Sequence, residues 1–245
     1  MRTPIDPRYL FIKYTFEFFV VVIGISVSFW LSEWNEQRKL DTYHIEDSHA
    51  LLEDLQIDLE RLENVSNTII HGKLQASRLL NNIDSFREGD LSYKSFSDSI
   101  IAIGYIYTYA TFFMNNSTYK SMINNGRILR FPQNIEKHIK DYYEYVSKRV
   151  EDNNRLVDNL AFDYYSIHHP YCLRVSDVSR ELSSDEKLNF FRQLDMKASY
   201  SSIDFYKASI ALYNKIHMHG RQIDRYTQMR NHVDSLIQEH VDLIE

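Results

Sequence analysis

A single cysteine, Cys172, excludes an intramolecular disulfide, so whatever this 245-residue chain builds is held together by packing alone. Proline and glycine are equally scarce, at four and six residues, which leaves few points where a helix has to stop. Basic charge is short as well: the net charge is −6, with residues 1–32 at +1 and the remainder at −7. That sign repels phosphate backbones, and without a basic stripe nucleic acid is excluded as a partner. There is no G-x-S-x-G, no glycine-rich phosphate loop and no cysteine in a catalytic setting. Enzyme activity is therefore disfavoured, and no cofactor is expected.

What the chain does have is one apolar run, Phe16 to Leu31, with a single charge at Glu17. Taken from Tyr14 to Trp34 it is 21 residues, and at ~1.5 Å per helical residue that covers the roughly 30 Å hydrocarbon core of a bilayer. Tyr9 and Tyr14 at one end, and Trp30 and Trp34 at the other, are rings that favour the headgroup level. Gly24 and Ser28 form a small-x-x-x-small pair suited to close approach of a second helix. Arg2, Arg8 and Lys13 before the run, with Ser26-Val27-Ser28 inside it, also fit a cleavable signal peptide. The start at Met1 favours a retained anchor. Those three cations precede the span, whereas Arg38 and Lys39 follow it among Glu33, Glu36 and Asp41, so the N-terminus is expected in the cytoplasm. The expected plan is a short cytoplasmic tail over 1–13, a single-pass membrane helix over 14–34 in a bacterial inner membrane, and a periplasmic helical domain over 35–245.

Beyond the anchor the pattern is helical. From Asn35 to about Ile83 no breaker intervenes apart from Gly72, and Leu52, Leu55, Leu59 and Leu62 are spaced as in a heptad seam. Asp54, Asp58, Glu60 and Asn64 then fall on the wet face. The segment from Asp84 to Asp90 reads as a turn, and Ser95 with Asp98 as a capping box for a short helix ending at Ile103. Gly104 to Phe113 is crowded with aromatic and β-branched residues and reads as a packed loop or short strand. Ser117 opens a short helix closed by Gly126, and Pro132 starts a long one over about 133–167 that His168-His169-Pro170 breaks. Ser183 with Glu186 caps a helix near 184–193, and Ala198 to Ile244 is a final long helix interrupted at most at Gly220. The predicted fold is all-α: a membrane helix continuing into an elongated antiparallel bundle whose first and last helices pair.

Two stretches carry a family resemblance. Phe16 to Ile25, followed by Trp34-Asn35-Glu36-Gln37-Arg38-Lys39, resembles the pattern GEIxLVVIGILIALxxNxWNExRK of DUF6090, a family of small membrane proteins of unknown function common in Bacteroidetes-type bacteria. Ser117-Thr118-Tyr119 through Gly126-Arg127-Ile128, with Tyr142-Tyr143 downstream, is similar to that family's STYxxLxxSGxLxxI…YY. This chain departs from the pattern with Phe16, Phe18 and Phe19 around Glu17. The resemblance implies a single-pass protein with an exported helical domain and supplies no activity.

Candidate chemistry is thin. A charge in mid-bilayer costs on the order of 3 kcal/mol, so Glu17 either reaches the headgroups or Lys13, or serves as a membrane-embedded carboxylate. Glu46 and His49 make one Glu-x-x-His pair, but di-iron bundles use two, so a solvated face is the expectation. His168, His169 and Cys172 cluster without the further ligands a metal site needs. His217 and His219 point about 200° apart on a helix. Tyr105, Tyr107, Tyr109, Phe112 and Phe113 are read as core beneath a loop. No metal is expected. The expected function is a non-enzymatic scaffold or sensor-like module assembling through helix contacts as a homo-oligomer or with a membrane-protein partner. The alternatives are an accessory subunit of an ion- or proton-coupled complex using Glu17, and a bundle metalloenzyme using Glu46 and His49.

Overall fold

The computed structural model describes residues 7–103, 106, 110–169 and 200–244, with the backbone alone at 7–10, 12, 13 and 101. Its first helix, α1, runs without a break over Pro7–Glu88. At ~1.5 Å per residue that is about 120 Å. The helix outlasts the expected stop near Ile83 because nothing between Asp84 and Glu88 forces a turn. Gly89 does, at φ +89°, and a Schellman cap closes it: Asp90 N–H donates to the Ser85 carbonyl at 2.9 Å and Gly89 N–H to that of Phe86 at 3.3 Å.

Next come α2 over Tyr93–Ile103, α3 over Ser117–Asn124 and a 3₁₀ turn over Arg127–Arg130. A composite helix follows, made of α4 (Gln133–Lys140), a π-helical turn (Asp141–Val146), α5 (Ser147–Asp163) and a second π-helical turn (Tyr164–His168). The last helix, α6, spans Ile203–Ile244. Ser92, not Ser95, caps α2: its Oγ accepts from Ser95 N–H at 3.2 Å. Ser202 caps α6 the same way, accepting from Phe205 N–H at 3.1 Å. The capping box at Ser183 and Glu186 lies outside the described residues, among which there is no strand.

The core is set by one spacing. On α1 the inward stripe is His44, Ser48, Leu51, Leu55, Asp58, Leu62, Val65, Ile69, Gly72, Ala76, Leu79 and Ile83, alternating four and three residues apart, with Asp47 and Asp54 buried beside it. On α6 the series Phe205, Ser209, Leu212, Ile216, His219, Ile223, Tyr226, Arg230, Val233, Ile237 and His240 does the same. Such spacing keeps one stripe of each helix facing its neighbour over many turns. The two helices run antiparallel: His44 meets His240, and the Leu55 carbonyl meets Arg230. At Gly220 a Cβ would lie 3.2 Å from Ile69 Cγ2, so this glycine permits the close approach rather than interrupting α6. Only Leu55 and Leu62 of the expected seam are fully buried; Leu52 and Leu59 are half-buried, and Leu51 and Asp58 take the inward places. Asp54 and Asp58, expected on the wet face, are buried.

The composite helix packs on α6, and α2 and α3 pack on α1. Paired tyrosines mark both π-helical turns, Tyr142-Tyr143 and Tyr164-Tyr165, and all four are buried. Ala110 to Asn116 is the packed loop of the two expectations. It has no ladder, and buried backbone polar groups need partners, so side chains supply them. His219 Nε2 meets the Ala110 carbonyl at 2.7 Å, Asn154 donates to that of Phe112 at 2.6 Å and Arg61 to that of Phe113 at 2.9 Å. Tyr165 donates to the Ile106 carbonyl.

Candidate functional site

Halfway up the bundle, the loop and three helices meet at two carboxylates of α1. Asp58 is fully buried; one oxygen accepts from the backbone N–H of Asn115 at 2.7 Å and the other from the Tyr142 hydroxyl at 2.9 Å. Burial pushes its carboxyl up to about 6, against the opposing pull of the Asn115 and Tyr142 donors and Arg61. One turn earlier, Asp54 accepts from the Asn115 side chain at 2.7 Å, from Ser117 Oγ at 3.3 Å and from Thr118 N–H at 3.0 Å. No side chain of its own loop caps α3. Asp54 therefore serves as the cap from another helix, placing negative charge at the positive end of α3.

Around this pair the polar contacts continue. Tyr119 donates to Glu144 at 2.5 Å and stacks on Tyr143 with ring centroids 4.7 Å apart. Burial raises the pKa values of Tyr119, Tyr142 and Tyr143, and neighbouring carboxylates add to the effect, so all three stay neutral. Arg230, itself buried, donates through Nε to the Leu55 carbonyl at 2.7 Å and pairs with Asp234 at 3.0 Å. Gly126, at φ +69°, turns the chain after α3 into the 3₁₀ segment. There Arg127 pairs with Asp47 at 2.9 Å and Arg130 with Asp41 at 2.5 Å.

The Ser-Thr-Tyr, the glycine and the Tyr-Tyr singled out in the sequence are thus parts of one fastening that docks residues 110–131 on α1. A family model covers residues 17–171, which takes in the apolar run from Glu17 onward and every one of these residues except Arg230 and Asp234. The chain belongs to DUF6090, a family of unknown function. No curated protein and no solved structure matches this DUF6090 chain.

A second cluster sits lower on the DUF6090 bundle. His44 and His240 approach to 2.8 Å between ring nitrogens, with the Phe131 ring edge-on to His44 at 4.6 Å. Burial lowers both pKa values, and for His44 the neighbouring His240 and Arg130 lower it further. With both rings neutral, one Nε2–H donates to the other Nε2.

The remaining sequence candidates are spread out. Glu17 is exposed on the apolar part of α1. Gly24 has nothing within 4 Å of an added Cβ, and Ser28 Oγ donates back to the Gly24 carbonyl at 2.9 Å. Trp30 and Trp34 stack at 6.5 Å, with the Arg38 guanidinium 5.1 Å from the Trp34 ring. Glu46 and His49 are both exposed, and among the described residues no three His, Cys, Asp or Glu side chains converge as metal ligands. His169 is buried and bonded to the Tyr200 hydroxyl at 2.6 Å; Cys172 lies outside the described residues. His219 is buried, with Nδ1 accepting from Asn153 at 2.7 Å, while His217 faces solvent. Tyr105, Tyr107 and Tyr109 lie outside the described residues; Phe112 is core, and Phe113 is exposed.

Asp54, Asp58 and Arg230 were the residues that sequence reasoning missed. The signal was there, since Asp58 and Arg230 each complete a four-three series that fails only if apolar residues alone are counted.

Proposed function

We propose that this protein is a membrane-anchored, non-enzymatic helical module, a scaffold or sensor-like domain in which α1 is both anchor and stalk. The observation that supports this is one helix in two environments. The N-terminal part of α1 is long and apolar enough to cross a membrane, with a mean hydropathy of 1.8 over its most apolar stretch and none of that stretch buried. Phe16, Phe18, Phe29 and Trp30 are all at least 64% exposed. Leaving a dozen such side chains in water forfeits about 1.5–3 kcal/mol each, on the order of 20 kcal/mol together. From His44 onward the same helix is packed. The ten residues from Trp34 to His44 lift the bundle about 15 Å above the tryptophans. Arg2, Arg8 and Lys13 favour a cytoplasmic N-terminus, which puts the bundle in the periplasm of a bacterial inner-membrane protein. Because α6 of the same chain occupies Leu55 and Leu62, assembly falls to the span itself, where the open Gly24–Ser28 face suits a second copy or another membrane protein.

The full chain, tagged at either end, is expected to stay in the pellet after alkaline carbonate extraction. In spheroplasts protease should remove the C-terminal tag and spare the N-terminal one. Release by carbonate would end the reading, and a protected C-terminal tag would reverse the topology.

The second reading is an accessory subunit of an ion- or proton-coupled complex, favoured by Glu17 as the one charge between Tyr14 and Leu31. On that reading Glu17→Gln keeps membrane retention but loses the partner recovered after gentle detergent extraction. Undiminished recovery of the partner eliminates it.

A further inference from the structure

Between the composite helix and α6 lies a cleft of about 310 Å³ that combines open apolar surface with cations. Tyr145, Leu156 and Met218 line it and are 57%, 56% and 51% exposed. Arg149 from α5, and Lys215 and Arg225 from α6, all reach it. The lining carboxylate, Asp152, lies 3.4 Å from Arg155 and 4.0 Å from Lys148, and its charge also acts on Arg149, which among the described residues leaves Lys215 and Arg225 as the cations without a counter-charge. Arg149 is held in place: its guanidinium lies 5.6 Å from the centre of the Tyr145 ring and donates to that hydroxyl at 3.3 Å. Its carbonyl accepts from Tyr226 at 3.2 Å.

Lys215 is the decisive group. It is half-buried, its Nζ donates to Asn153 Oδ1 at 3.3 Å, and among the described residues neither it nor Arg225 is in an ion pair. Withdrawing an ammonium from water without a counter-charge is unfavourable, and burial accordingly pulls its pKa down. Three cations around one cleft, in a chain whose net charge is −6, are an arrangement that an anion completes.

We propose that this cleft binds a small amphipathic anion. Its carboxylate or phosphate is held by Lys215 and its apolar body lies against Leu156 and Met218, while Arg149 and Arg225, further along the cleft, add long-range attraction. The volume is at the lower end of the roughly 300–1,000 Å³ usual for small-molecule sites, which suits a single-ring or short-chain ligand over a protein segment. The proposal does not depend on how the chain is anchored.

The test is a ¹⁹F NMR titration of the full chain in a neutral maltoside detergent with 4-fluorobenzoate and 4-fluorophenyl phosphate, with uncharged 4-fluorobenzyl alcohol as control. Saturable binding of at least one anion is expected, and the preference between them identifies the headgroup. Lys215→Met keeps the side-chain stem and should weaken binding about tenfold, the loss of one charge-assisted contact. Arg225→Met, at an exposed position that leaves the fold intact, should weaken it several-fold. Equal binding of the alcohol, or anion binding unchanged in both variants, overturns the proposal. So does binding of an acidic helical peptide when neither small anion binds.

Discussion

Asp58→Ala is expected to lower the unfolding free energy of the bundle by about 3–5 kcal/mol, because it strands two buried donors at once. The Asn115 N–H and the Tyr142 hydroxyl both end on this carboxylate, and no water-sized path leads to it from the surface, since the side chain is fully buried. Each orphaned donor costs about 1–3 kcal/mol, and the cavity left behind adds to that. For a chain of this size the loss corresponds to a fall of roughly 10 °C in Tm, readable by circular dichroism in detergent. Asp58→Asn is the informative companion. It retains an acceptor for Asn115 N–H and removes a charge that burial already disfavours, so its cost should be about 1 kcal/mol. If the alanine variant melted with the wild type, the junction would not be what holds residues 110–131 in place. Asp54→Ala should fall between the two, since Thr118 N–H at the head of α3 would regain water more easily than the donors around Asp58.

The architecture was legible wherever one local rule governed a long stretch. The absence of proline between residues 8 and 131 dictated a continuous α1, and the apolar run marked the part of it that is long and apolar enough to cross a membrane. The first and last helices, each a long stretch with almost no breaker, were expected to pair, and they do. Helix ends were read less well, because several residues compete to cap: Ser92 and Ser95 are three apart, and only the contact of Ser92 Oγ with Ser95 N–H decides between them. The core seam was rotated for a related reason. Leu55 and Leu62 belong to two overlapping series, one passing through Leu59 and the other through Asp58, and hydrophobicity alone prefers Leu59. What reverses the choice lies 57 and 84 residues away, in donors from Asn115 and Tyr142 that make a carboxylate tolerable inside. The motif Ser117-Thr118-Tyr119 was visible as a pattern, but its meaning depended on Asp54, which no spacing within the motif reveals.

Acid is expected to destabilise the bundle, and His169 to dominate the loss. Burial among Tyr164, Tyr165, Tyr200 and Phe205 pushes its pKa down to about 3, from the ordinary 6.5 of the unfolded chain. The unfolded chain therefore takes the proton first. Stability from this group is fully present above about pH 6.5 and drains away as pH falls toward 3, by about 3 kcal/mol between pH 7 and pH 4. His44, His219 and His240 are depressed in the same direction by burial and act with it. Asp58 opposes them: its folded value of about 6 lies above the ordinary 3.8, so protonation favours the folded state and returns roughly 2 kcal/mol over the same interval. Four histidines against Asp58 and Asp47, whose carboxyl burial also raises, leave a net loss in acid. The signs separate by mutation. His169→Gln keeps a hydrogen-bonding partner for the Tyr200 hydroxyl and cannot titrate, so it should flatten the decline by about 3 kcal/mol. Asp58→Asn should steepen it by removing the compensating term. Urea unfolding monitored at pH 7, 5.5 and 4 reads all three chains, and a wild type more stable at pH 4 than at pH 7 would refute the neutral, buried state of these histidines.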